Sequence, residues 1–82
     1  MKLGKQIMKI LNRTYEADAM IEKQMGRYDL QFKTDAIGRP VLLFLGEFNE
    51  QGMIKGDRFV RRIVTDAEGK VIKDHWDNKG AA

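Results

Sequence analysis

From Tyr28 to Phe32 the apolar residues recur at every second position, and this change from a helical to a strand period constrains the fold more than any other feature of the chain. Tyr28, Leu30 and Phe32 alternate with Asp29, Gln31 and Lys33, as on a strand with one face buried and one in water. Turn residues follow in TDAIGRP, where Pro40 suits the start of a strand better than its interior. VLLFLGEF is a continuous apolar run that predicts the central strand, with Gly46 as a candidate bulge. NEQGMIKGD reads as a loop or a twisted hairpin end. RFVRRIVT and KVIKDHW then flank DAEG, which fits a tight turn with Gly69 in the left-handed position. The expected strands are residues 27–34, 40–48, 58–65 and 70–77, joined as an antiparallel meander.

Before Gly26 the period is helical. Leu3, Ile7, Ile10, Leu11, Thr14, Ala17, Ile21 and Met25 fall on one side of a helix at about 100° per residue. Gly26 then stands where helices commonly stop. The spacing predicts one amphipathic N-terminal helix over residues 3–25, packed on the four-stranded sheet. This is an α+β fold. A chain of 82 residues without repeats, low-complexity tracts or linkers suits one domain over 1–82.

Counting outward from the DAEG turn places Ile63 opposite Ile72, Arg61 opposite Asp74 and Phe59 opposite Trp76 on one face. Val64 with Val71, Arg62 with Lys73 and Val60 with His75 share the other. The first set is expected in the core: it buries larger side chains and pairs opposite charges, whereas Arg62 against Lys73 repels. Trp76 is thus read as structural. In the first hairpin, simple pairing puts Leu42, Phe44 and Phe48 on the face of Leu30 and Phe32. Val41, Leu43 and Leu45 then join Val60, Val64 and Val71 on a face that one helix leaves uncovered, an expected surface for self-association into a homodimer. Asp18 falls on the apolar side of the helix, at the edge of the stripe or facing Arg61.

Charge gives a second lead. The chain carries a net charge of +3, a property that bears on partners rather than on fold. On the expected helix, the side opposite the apolar stripe holds Lys2, Lys5, Lys9, Arg13, Lys23 and Arg27, with Glu16 the one acid. The row Lys5, Lys9 and Arg13 costs a few tenths of a kcal/mol per like-charge pair, and cations near a helix start oppose its dipole. Such a face suits an anionic partner, nucleic acid or an acidic protein, with Arg62 and Lys73 as further contacts. The alternative is a protein-interaction or accessory subunit that works through the apolar outer face of its sheet.

Enzyme chemistry has little support. The chain has neither serine nor cysteine, leaving three threonines and two tyrosines as hydroxyl groups. Asp74, His75 and Asp77 alternate across a strand and cannot converge on a metal. Phosphate-binding glycine loops and the HExxH motif are absent, so no catalytic residue, metal or cofactor is expected. KGDRFVRR shares Lys55, Gly56, Phe59 and Val60 with the RNA-recognition signature. Asp57 and Arg62 stand where that signature needs aromatics, so no family follows. Lys5, Lys9 and Asn12 interrupt what would be a signal-peptide core, and no apolar run approaches the roughly 18 residues of a membrane span, so a cytoplasmic protein is expected.

Overall fold

A computed structural model of the chain describes residues 3–81. It contains helix α1 (Lys5–Leu11) and strands β1 (Met20–Met25), β2 (Tyr28–Thr34), β3 (Pro40–Phe48), β4 (Ile54–Thr65) and β5 (Val71–Ala81). Every neighbouring pair is antiparallel, and the strands lie in chain order. The fold is α+β, with one short helix and a five-stranded sheet.

The long helix over residues 3–25 is corrected. It ends at Leu11, and residues 20–25 form a strand instead. After Asn12 and Arg13, which still donate to the Met8 and Ile10 carbonyls, the intervening segment turns its backbone bonds to the β2–β3 turn. Tyr15 N–H donates to the Gly38 carbonyl at 2.8 Å, and Asp18 N–H to that of Asp35 at 2.9 Å. Thr34, 1% exposed, fastens the same segment. Its hydroxyl donates to the Glu16 carbonyl at 2.6 Å and accepts the Ala19 N–H at 2.9 Å. Each residue has one backbone donor, so bonds made here exclude a continuing helix. Gly26 is the first of two loop residues between Met25 and Tyr28, and its φ of +59° suits the type II′ turn of a hairpin.

The core lies between α1 and the inner face of the sheet. Ile7 and Leu11, one helical turn apart, pack on Leu30, Phe32, Leu43, Leu45 and Phe59. Tyr15 closes one side, its ring edge-on to Phe32 at 5.0 Å. Each fully buried Leu or Phe stabilises the fold by about 1.5–3 kcal/mol.

The expected facing of β3 is therefore reversed. Leu43 and Leu45 are fully buried in the core, while Leu42 and Phe44 lie on the outer face. The cause is an irregularity between Lys33 and Thr34. Thr34 pairs with Pro40, but Lys33 pairs with Leu42 rather than with Val41, so one residue is skipped and every side chain beyond it changes face.

In the β4–β5 hairpin the pairing is shifted by two. Ile63 faces Asp74, Arg61 faces Trp76 and Phe59 faces Asn78. A turn one residue longer than expected contributes the first step, and an irregularity between Val64 and Thr65 the second. Two single steps restore the faces, so Phe59, Arg61 and Trp76 remain on the inner side. Ile72, expected in the core, is 63% exposed near the hairpin's end.

Candidate nucleic-acid interface

The expected helix cations that lie among the described residues do not form one face. Lys2 lies outside the described residues. Lys5 and Lys9 stand on α1, Arg13 follows it, Lys23 is on β1, and Arg27 is in the β1–β2 turn. Two of them meet again through the fold. Lys5 and Arg27 flank a cleft of about 460 Å³, lined by Ile7, Met25 and Tyr28. Arg27 donates to the Tyr28 hydroxyl at 3.3 Å and lies over that ring. Lys23 lies 5.8 Å from the Tyr15 ring centre. Asp18 is exposed in a left-handed backbone conformation (φ +49°), so it does not meet Arg61 in the core.

The expected self-association set is also divided. Leu43 and Leu45 belong to the core, Val41 is half-buried, Val60 and Val64 lie on the outer face, and Val71 is 46% exposed near the hairpin's end. The apolar centre of the outer face consists instead of Leu42, Phe44 and Val60. Leu42 and Val60 are direct partners, and Phe44 stands between Gln31 and Arg58.

Cations surround that centre. Strand alternation places Arg58, Val60, Arg62 and Val64 on one side of β4. Lys33 pairs with Leu42, His75 with Arg62, and Lys73 with Val64, which brings all of them to the same face. Arg62 and Lys73, which sequence reasoning set directly opposite one another, are thus diagonal neighbours. Lys33 and Arg58 were missed by that reasoning. Their signal was the alternation itself, once the facing of β3 is known.

The outer cations differ from two inner arginines in how they are held. Arg39 is paired with Asp35 at 2.8 Å, and Arg61 with Asp74 at 2.6 Å. No ion pair among the described residues engages Lys33, Arg58, Arg62 or Lys73. The acids of the outer face are Glu22, Asp29 and Asp77. Two of them are engaged: Asp29 accepts the Phe48 N–H at 3.1 Å, and Asp77 lies 2.7 Å from His75. The face thus carries four Lys and Arg side chains against three carboxylates, with the four cations set around an apolar patch, an arrangement able to meet phosphates and flat ring systems together.

The end of the β3–β4 hairpin shapes one border of this surface. Gly46 and Gly56 face each other, and a Cβ on either would come within 2.1 Å of a backbone oxygen of the opposite strand. Only glycine permits that approach. Beyond the glycine pair, Asn49, Met53 and Ile54 share a hollow of about 200 Å³ with Gln31 and Phe44. The Asn49 side chain accepts the N–H groups of Gln51 and Met53, both at 3.0 Å, and so holds the tip in one shape.

Among the described residues, no three His, Cys, Asp or Glu side chains come together as a metal site. No helix among them is long and apolar enough to cross a membrane. Comparison with family models, with characterised proteins and with solved structures finds no match to this chain.

Proposed function

We propose that the protein is a non-enzymatic binding module that holds single-stranded nucleic acid against the outer face of its sheet. The observation that carries this reading is the outer face itself. Among the described residues no element covers its apolar centre of Leu42, Phe44 and Val60, and none of the four cations Lys33, Arg58, Arg62 and Lys73 around it is held in an ion pair. An open sheet with an aromatic at its centre lets bases lie flat while the backbone meets the cations. Such binding is largely electrostatic and tolerant of sequence.

Fluorescence anisotropy with labelled single- and double-stranded oligonucleotides, titrated across salt concentrations, tests it. Four phosphate contacts predict a slope of log K against log salt of roughly −3 for a single strand, at about 0.7 per contact. The double reversal Arg58→Glu with Arg62→Glu should abolish binding, while Lys5→Glu with Lys9→Glu should leave most of it. Retained binding in the first variant would overturn the reading.

The contact between Leu42 and Val60, with Phe44 beside them, supports a second reading: a protein partner or a second copy of the chain on the same face. In that case Leu42→Glu changes the molecular mass in solution, and nucleic acid has no effect on it.

A further inference from the structure

The hollow beneath the β3–β4 hairpin tip is a separate feature of the outer face, and we infer that it is a subsite for a single nucleobase. This rests on the reading of the outer face as a single-strand platform. Three observations carry it. First, the hollow has a mixed lining: the Phe44 ring and the Ile54 and Met53 side chains supply apolar walls, while the amide of Gln31 supplies one donor and one acceptor group. That amide makes no hydrogen bond within the described residues, although Gln31 is half-buried. Second, a cation stands beside it: Arg58 is the direct cross-strand partner of Phe44. Third, the wall opposite the sheet is held in place, since Asn49 fixes the turn that carries Met53.

The occupant is defined by these groups. It has a flat face for Phe44 and Met53, an edge with both donor and acceptor for the Gln31 amide, and a negative group beside it for Arg58. A base within a nucleic acid strand combines all three. A fatty acyl chain leaves the amide unused. A neutral aromatic side chain of a peptide offers neither the polar edge nor the negative group.

The test uses the full chain, with nucleoside monophosphates (adenylate and uridylate, separately) and a labelled single-stranded oligonucleotide as probes. Monophosphate titrations followed by NMR should move the Gln31 side-chain amide and the Met53 methyl resonances, and leave the Met8 methyl unmoved. Phe44→Leu, which keeps an apolar side chain at the sheet centre, should weaken oligonucleotide binding about tenfold through lost stacking. Gln31→Glu, which keeps the shape and adds a negative charge, should weaken it further. If the oligonucleotide binds but neither resonance moves and Phe44→Leu binds normally, the subsite is overturned and the broader reading stands. If no oligonucleotide binds and no monophosphate moves these resonances, both fail.

Discussion

The guanidinium of Arg61 grips the carboxylate of Asp74 with two parallel bonds, Nε to Oδ1 at 2.7 Å and the terminal NH2 nitrogen to Oδ2 at 2.6 Å. The two residues are diagonal rather than opposite, because Arg61 faces Trp76 across the hairpin. The remaining terminal nitrogen donates to the carbonyls of Leu11 at 3.3 Å and Pro40 at 3.1 Å. One side chain, only 8% exposed, therefore ties together the end of α1, the start of β3 and strand β5. It also lies over the Trp76 ring, 5.7 Å from its centre.

Removing this clamp should be expensive. Arg61→Ala should lower unfolding stability by about 2–3 kcal/mol, the scale of bonds to a charged group plus the carbonyls left unpaired. Arg61→Lys should recover little, since an ammonium cannot reproduce the two-pronged geometry. Urea denaturation measures both, and a loss below about half a kcal/mol for Arg61→Ala would refute the clamp.

The same pair sets a pH dependence. Hydrogen bonds from Arg61 hold the Asp74 carboxyl below its usual range, against an opposing effect of burial. A carboxylate with a depressed folded-state pKa adds stability that is fully present above its unfolded value of about 3.9. The stability is lost as pH falls through the lower folded-state value. Wild type should therefore lose more stability than Asp74→Asn on acidification below about pH 4. Equal losses in the two proteins would show that the pair adds nothing.

Thr34 should matter through its hydroxyl. Thr34→Val keeps the shape but strands the Glu16 carbonyl and the Ala19 N–H, at a cost of about 1–3 kcal/mol. The segment from Asn12 to Ala19 should loosen before the rest. Amide hydrogen exchange should be faster at Tyr15, Asp18 and Ala19 than in wild type, with the strand centres unchanged.

Two glycines with positive φ should respond differently to alanine. A Cβ at Gly38 (φ +87°) would meet the Tyr15 carbonyl oxygen at 2.0 Å, whereas one at Gly69 (φ +84°) meets nothing within 4 Å. Gly69→Ala should cost about 1 kcal/mol, from backbone strain alone. Gly38→Ala should cost more than twice that, because the clash is with backbone. Thermal unfolding of the two variants tests the comparison directly.

Neighbouring leucines on β3 report its facing. Leu43→Ala removes a fully buried side chain and should cost about 2–5 kcal/mol. Leu42→Ala, on the outer face, should cost clearly less. The opposite order would mean that the strand is turned the other way.

Much of the sheet was legible in the chain. Pro40 and Phe48 bound β3 as expected, and β2 ends at Thr34, because alternation and turn residues are local signals that tertiary packing left in place. The inner face of β4 was also readable, since burial of Phe59 and Trp76 outweighs the alternative set of valines. The first third was not readable by period. Ile21 and Met25 are four residues apart, a spacing that puts two side chains on one face of either a helix or a strand. Hydrogen bonds with the Thr34 hydroxyl and to the carbonyls of Asp35 and Gly38 decided between these, and such partners are remote in sequence.

The candidate site depended on register, which the sequence determines only up to single-residue steps. One step between Lys33 and Thr34 moved Leu42 and Phe44 outward and buried Leu43 and Leu45. Two steps in the last hairpin cancelled and left Arg62 and Lys73 on the outer face. The sequence by itself determined which residues are apolar, which are cationic and where the chain turns. Only the tertiary structure decided which of them share a surface, because strand side chains alternate and each irregularity reverses every facing beyond it.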